Sequence, residues 1–167
     1  MRIIYIDTMK IQQIYQFDYP EESIDPTTNK KGTCVLSVLQ MALESIVGES
    51  LTLREFYLGL LKAGIIRKDA YVNSYERAFE WYRKQIRFYK RNPTDLKGKW
   101  VFSVDKMDMI SQIEQENPVF LFLGGHCVLA EAYNHAEDMV YVVDPYFKGA
   151  AARYKLLRPI KKIGFFI

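Results

Sequence analysis

The chain has 167 residues, 49% of them hydrophobic and 26% charged, and this composition predicts a single globular domain covering residues 1–167. The net charge of +3 does not favour a nucleic-acid-binding protein, and no stretch approaches the ~18 consecutive apolar residues of a membrane span. Asp7 interrupts the apolar start too early for a signal peptide, and two cysteines are too few for a disulfide framework, so we expect a cytoplasmic protein.

The start of the chain predicts a short strand followed by a long loop. Residues 3–6 are apolar, which favours a strand. Residues 16–31 are polar and rich in turn-forming residues, which favours a loop. Loops longer than about a dozen residues are uncommon in compact domains and often carry functional residues.

A helix is predicted directly after this loop. Apolar residues recur at helical spacing from Val35 to Val47, with Thr33 as the expected N-cap and Gly48 as the expected end of the helix. This assignment places Cys34 in the first turn of an apolar helix.

Three further helices are predicted, two from capping signals and one from the Asn-Pro pair that ends it. Thr52 and Glu55 form a capping-box pattern ahead of an apolar run. Asn73 or Ser74 is expected to cap a longer helix that continues to residue 92. The last helix is predicted over residues 106–116, before an Asn-Pro pair.

From residue 119 onward the hydrophobic period becomes that of strands. Strands are predicted at residues 119–123, 127–133, 139–143 and 163–167, with a turn at residues 134–138. Helices followed by an antiparallel sheet indicate the α+β class, with a helical N-terminal half packed on a C-terminal sheet.

Three residues from these elements form a candidate catalytic set. Cys34 lies in a first helical turn, His126 precedes one strand, and Asp144 follows the next strand. A nucleophilic thiol, an imidazole that carries its proton and a carboxylate that orients the imidazole make up a Cys-His-Asp triad. A helix N-terminus and a neighbouring imidazolium both stabilise a thiolate. The order Cys, His, Asp along the chain predicts a papain-like arrangement.

The residues around the triad follow a known pattern. Residues 34–43 read CVLSVLQMAL, and residues 117–122, 125–134 and 140–146 read NPVFLF, GHCVLAEAYN and VYVVDPY. The first stretch resembles the nucleophile helix CGPTSLAMVL, and the others resemble the module rPVivlv, gHavvvvGyd and vyvnDP, of papain-like peptidases related to bacteriocin leader-processing (double-glycine) peptidases. The resemblance extends over about residues 14–146.

The resemblance implies a papain-like cysteine peptidase fold and a hydrolase of peptide bonds that uses no cofactor and no metal. The implied substrate is a peptide or protein, in particular one partner protein or leader. In this family the backbone N–H of the nucleophile and an upstream Gln stabilise the oxyanion of the intermediate. The stretch YQFD at residues 15–18 is similar to the family's s-Q-y-D, so Gln16 is the expected side-chain donor, with Asn29 as the alternative.

Two departures from the family pattern leave other functions open. Val35 replaces the Gly that usually follows the nucleophile and crowds the approach to the thiol, and Thr28 stands where papain has a Gln. Papain-like folds also carry deamidases and acyl or amine transferases, and an inactive relative would serve as a binding module.

The other reactive side chains have structural interpretations. Cys127 is predicted to be a core residue, and His135 is predicted to face solvent in a turn. No paired Cys-x-x-Cys spacing is present, so the sequence does not predict a zinc site. The basic, aromatic-rich residues 83–91 are interpreted as a solvated helix face rather than as a nucleic-acid site.

Overall fold

The computed structural model of the protein describes residues 11–19, 33–86 and 98–167. The strand predicted at residues 3–6 lies outside these ranges. Residues 20–31 of the predicted loop also lie outside them. In the part of the chain that is described, no helix is long and apolar enough to cross a bilayer.

The described residues form an α+β structure, which confirms the predicted class. The helices are α1 (Thr33–Val47), α2 (Leu53–Lys62), α3 (Tyr75–Gln85) and α4 (Lys106–Glu114). The strands are β1 (Trp100–Ser103), β2 (Val119–Phe122), β3 (Cys127–Asn134), β4 (Met139–Val143), β5 (Arg153–Lys155) and β6 (Lys162–Phe166). They form one antiparallel sheet in the order β1-β6-β2-β3-β4-β5.

The apolar helix α1 is the centre of the larger core. Its side chains are buried around nearly the whole helix, and Leu36, Val38, Leu39 and Leu43 are fully buried. A helix that is apolar on all sides is stable only inside a core. The helix packs against β3 and α3, so its first turn is held at one end of the sheet.

The sheet buries both of its faces. On β3, Cys127 and Leu129 belong to the core shared with α1, while Val128 and Ala130 belong to the core shared with α4. This division follows from the alternation of side chains along a strand. The central strands β2 and β3 are therefore covered on both sides, which fixes the position of the turn that joins them.

The capping signals in the sequence locate two helices correctly. Thr52 and Glu55 form the predicted capping box at the start of α2. Ser74, one of the two predicted caps, accepts a hydrogen bond from the backbone N–H of Arg77 at the start of α3. Such caps satisfy backbone donors that have no partner inside the helix.

Three helix boundaries differ from the sequence predictions. Thr33 is the first residue of α1 rather than its N-cap. The helix α3 ends at Gln85 rather than near residue 92, because Ile86 is buried in an extended conformation, which suits its β-branched side chain. The helix α4 ends at Glu114, two residues early, because Glu116 takes a positive φ of 57°.

The two edge strands of the sheet were not predicted. The strand β1 lies at one edge beside β6, and β5 lies at the other edge beside β4. Both are short, with four residues in β1 and three in β5. Strands of this length give too few alternating positions to show a hydrophobic period.

A cluster of buried polar side chains lies along α1, away from its first turn. The amide Nε2 of Gln40 donates to Glu44 Oε1 at 2.9 Å, and the hydroxyl of Tyr19 donates to Gln40 Oε1 at 2.8 Å. Burial raises the pKa of Glu44 from 4.5 to about 7, although hydrogen bonds from Gln40, Ser50 and the Leu51 backbone oppose the shift. Glu44 is therefore a carboxyl group that folding favours in its neutral form.

We predict that the free energy of unfolding falls as the pH rises from about 4.5 to about 7 because of Glu44. In this window the folded protein holds a proton that the unfolded chain releases. Glu44→Gln removes this dependence, and at about pH 8 the variant should be more stable than the wild type by on the order of 2–3 kcal/mol. Urea unfolding across the pH range measures this.

Glu49→Gln is the matched control, because Glu49 is an exposed carboxylate close to Glu44 in the chain. This control should keep the pH dependence of the wild type. Equal pH profiles for the wild type and Glu44→Gln would contradict the assignment of the buried proton to Glu44.

Candidate active site

Cys34 is the second residue of α1 and lies at the N-terminal end of this buried helix. Its side chain is free, and the residue is 7% exposed. The hydroxyl of Ser37 donates to the carbonyl oxygen of Thr33 at 2.7 Å, which ties together the first turn. The backbone N–H groups of a first helical turn favour negative charge beside them.

His126 lies in the turn between β2 and β3. Gly124 and Gly125 precede it with φ of 76° and 79°, a conformation that L side chains rarely adopt. The backbone N–H of Leu123 donates to the carbonyl oxygen of His126 at 2.8 Å and closes the turn. The tight turn brings the ring to the start of α1, where the Cys34 thiol lies close enough to raise the pKa of the imidazole.

Asp144 directly follows β4 and is only 2% exposed. Its Oδ1 atom lies 2.7 Å from His126 Nε2 and accepts a hydrogen bond from the backbone N–H of Tyr146 at 2.8 Å. Its Oδ2 atom accepts from the hydroxyl of Tyr154 at 2.6 Å. Because Nε2 contacts Asp144, the other ring nitrogen, Nδ1, is left for the thiol of Cys34.

The charges of His126 and Asp144 support one another. Burial lowers the pKa of the His126 imidazole, but hydrogen bonds to Asp144 and Cys34 and their negative charge outweigh burial and raise it to about 9. Burial likewise raises the pKa of Asp144, but hydrogen bonds from His126, Tyr154 and the Tyr146 backbone outweigh burial and hold it below its usual value. At neutral pH the pair is therefore an imidazolium and a carboxylate.

Gln16 lies in a segment that packs against the loop after β4. Its backbone N–H donates to the carbonyl oxygen of Pro145 at 2.8 Å. The residue is 8% exposed and lines the same groove as Cys34 and His126. Its Oε1 atom is buried and has no hydrogen-bond partner among the described residues.

A groove with a volume of about 1150 Å³ opens beside the thiol and the imidazole. We call it the Tyr146 groove, and its walls include Gln16, Asp144, Tyr146, Phe147, Tyr154 and Arg158. Lys148 binds the Asp18 carboxylate at 3.1 Å and lies over the Tyr15 ring at 4.3 Å, which ties the N-terminal wall of the groove to the loop after β4. A cavity of this volume admits a substrate of several residues.

The model of one family, described as the Peptidase_C39 like family, matches residues 8–162. The chain belongs to this family. The match spans Gln16, Cys34, His126 and Asp144, and it confirms the predicted resemblance to papain-like peptidases related to bacteriocin-processing peptidases. Searches of curated proteins and of solved structures found no match.

The structure brings four of the five candidate residues of this C39-like chain together, namely Gln16, Cys34, His126 and Asp144. The fifth, Asn29, lies outside the described residues. The sequence reasoning missed Tyr154, because its short edge strand was not predicted. An aromatic residue within a dozen positions after the Asp-Pro pair was the only signal available, and it does not distinguish Tyr154 from Tyr146 or Phe147.

The other cysteine, the other histidine and the basic segment singled out in the sequence are considered in turn. Cys127 is fully buried, as predicted, and burial raises the pKa of its thiol. His135 is exposed in a turn, and its Nε2 atom lies 2.8 Å from Glu114 Oε1. Of the basic residues 83–91, only 83–86 are described. Within the described ranges, no group of three His, Cys, Asp or Glu side chains is placed to hold a metal ion.

We predict that a ¹H–¹³C NMR titration gives His126 a pKa of about 9. Asp144→Asn removes the hydrogen-bonded negative charge and should lower this pKa toward 6.5. Cys34→Ala should lower it by a smaller amount, because the contact with Asp144 remains. The chain has only two histidines, and His135 does not line the groove, so its resonance supplies an internal reference. A His126 pKa that stays near 9 in Asp144→Asn would refute this account.

Proposed function

We propose that this protein is a thiol-dependent hydrolase of peptide bonds that acts on one partner protein or leader. Cys34 is the nucleophile, His126 carries the proton, and Asp144 orients His126. The observation that carries the proposal is the chain of contacts from the Cys34 thiol through the His126 ring to Asp144, 2.7 Å beyond, at the mouth of a large groove. Membership of the C39-like peptidase family supports the same reaction class.

In the first half of the reaction, the Cys34 thiolate attacks the carbonyl carbon of the scissile bond. The carbonyl oxygen becomes an oxyanion, which accepts hydrogen bonds from the Cys34 backbone N–H and the Gln16 amide. The C–N bond then breaks as His126 gives its proton to the leaving amine. The products are an amine and a thioester on Cys34, and His126 is neutral.

In the second half, a water molecule attacks the thioester carbon while neutral His126 accepts its proton. The tetrahedral intermediate collapses, the C–S bond breaks, and the carboxylic product leaves. Cys34 is again a thiolate and His126 an imidazolium, so the pair is restored. Throughout both steps Asp144 keeps its charge, because His126, Tyr146 and Tyr154 all donate to it.

The surroundings of Gln16 support its role as the oxyanion donor. Gln16 is buried beside the thiol, and its side chain lines the groove that contains Cys34. With Oε1 of Gln16 directed into the protein, the amide N–H₂ is left for the groove that contains Cys34. Docking on Pro145 fixes the backbone of Gln16 beside the loop that carries Asp144.

The relative loss of activity among site variants tests the mechanism. Cys34→Ala should abolish turnover of a pool of quenched fluorescent peptides, and His126→Ala should nearly abolish it, because the thiolate and its proton partner act as a unit. Asp144→Asn should leave more activity. Gln16→Ala should lower kcat by about 10²–10³-fold. Gln12→Ala is the matched control, because Gln12 is exposed in the same segment and should retain activity.

Turnover that survives Cys34→Ala would exclude the mechanism. Release of ammonia without a shorter peptide would assign the same site to a deamidase, and transfer of the acyl group to an added amine would assign it to a transferase. Both reactions use the same thioester, so only the products separate them.

Thiol labelling tests whether the site is reactive at all. At about pH 6, iodoacetamide should modify Cys34 much faster than Cys127, because the imidazolium stabilises a thiolate at Cys34 whereas Cys127 is fully buried. Mass spectrometry of the two cysteine peptides measures the ratio, and His126→Ala should reduce it. Equally slow labelling of both thiols would indicate an inactive binding module.

A further inference from the structure

A second groove lies on the other side of the Cys34–His126 pair. It has a volume of about 1020 Å³, and we call it the Phe102 groove. Its walls include Tyr71, Tyr75, Phe102, Phe122, Lys161 and Lys162. Cys34, Gly125 and His126 line both grooves, so the two form one cleft that passes over the thiol.

The floor of this cleft is open at its midpoint. Gly125 has no side chain, and apart from its two chain neighbours no described residue has an atom within 4 Å of the position that its Cβ would occupy. An extended chain can therefore cross from one groove to the other close to His126. The cleft provides room for substrate residues on both sides of the bond that Cys34 attacks.

Exposed aromatic side chains are concentrated along this cleft. Tyr146 and Phe147 are 52% and 42% exposed in the Tyr146 groove, and Tyr71 and Phe102 are 56% and 46% exposed in the Phe102 groove. Large exposed apolar surfaces mark places where another molecule binds. The grooves on both sides of the thiol are therefore suited to apolar substrate side chains.

The cleft also carries positive charge that no carboxylate of the described residues neutralises. Arg158 lines the Tyr146 groove, Lys161 and Lys162 line the Phe102 groove, and all three are exposed. No carboxylate of the described residues forms an ion pair with them, and Lys162 Nζ instead lies 3.5 Å from the centre of the Phe102 ring.

The carboxylates that line the cleft are already engaged within the protein. Asp144 accepts hydrogen bonds from His126, Tyr146 and Tyr154. Glu76, in the Phe102 groove, accepts from the Trp100 backbone and from the Ser74 hydroxyl. Negative charge supplied by a ligand would therefore complement Arg158, Lys161 and Lys162.

We propose that the cleft recognises an acidic peptide segment, whose apolar side chains occupy the two grooves and whose carboxylates pair with Arg158, Lys161 and Lys162. This inference rests on the proposed function and specifies its substrate class. A peptide fits better than a nucleic acid, because the cleft is centred on acyl-transfer groups and the chain has a net charge of only +3.

The test measures binding to the Cys34→Ala variant by fluorescence anisotropy. The probes are a short fluorescent peptide of alternating Phe and Glu, its Gln analogue and its Lys analogue. The Glu peptide should bind about tenfold more tightly than the Gln analogue, because each exposed ion pair strengthens binding by up to about fivefold. Added salt should weaken the preference for the Glu peptide. The double variant Lys161→Glu/Lys162→Glu should lose the preference for Glu.

Lys84→Glu/Lys99→Glu is the charge-matched control, because both lysines are exposed and line neither groove. It should keep the preference for the Glu peptide. Equal affinity for the Glu and Gln peptides, tighter binding of the Lys peptide, or displacement of the Glu peptide by a lower concentration of single-stranded oligonucleotide would each overturn the inference.

The same peptides separate this inference from the proposed function. If the wild type cleaves all three peptides equally well, the hydrolase stands and the recognition of acidic segments fails. If the Glu peptide binds with the expected preference but Cys34 shows no thiol reactivity and no turnover, the recognition stands and the hydrolase fails.

Discussion

The packing of α1 against β3 is the contact on which the candidate site depends. The helix is buried on nearly all sides, so its axis is fixed by the core and its first turn emerges at one end of the sheet. The turn before β3 is fixed in the same way, because both faces of β2 and β3 are covered. A thiol and an imidazole from distant parts of the chain therefore meet without either belonging to a flexible loop, which is how a rigid scaffold keeps reacting groups aligned.

The other half of the site depends on the loop after β4. This loop carries Asp144 and receives the segment with Gln16 through a backbone hydrogen bond to Pro145. The guanidinium of Arg153 donates to the carbonyl oxygen of Ile11 at 2.6 Å, so both ends of the loop hold the same segment. The carboxylate and the oxyanion donor are consequently positioned by one set of contacts. A change that loosens the segment would therefore disturb both the charge that supports His126 and the geometry above the thiol.

The sequence predicted the parts of this structure that local patterns encode. The capping box of α2 and the apolar patterns of β2, β3 and β4 are local signals, and the order of a thiol, an imidazole and a carboxylate at a helix start and two neighbouring strands singled out Cys34, His126 and Asp144 as candidates. The edge strand β5 has no such signal, because three residues do not establish a period, and Tyr154 was missed with it. The early end of α3 was also missed, because Ile86 leaves the helix to fill a site in the core, which is a tertiary effect. The contact of Tyr154 with Asp144 requires the pairing of β5 with β4, which a local sequence pattern does not encode.

A comparison of Asp144 with Glu44 shows what decides whether a buried carboxyl group of this fold is charged. Both carboxyls are buried, and each accepts hydrogen bonds from three groups, yet the pKa of Asp144 is lowered while that of Glu44 is raised to about 7. The donors to Glu44 are neutral, namely the Gln40 amide, the Ser50 hydroxyl and the Leu51 backbone, whereas one donor to Asp144 is the His126 ring. Neutral dipoles do not offset the desolvation of Glu44, but an imidazolium at 2.7 Å offsets that of Asp144. The charged forms of His126 and Asp144 therefore depend on each other, so the buried charge of this site lies at the imidazole to which we assign proton transfer.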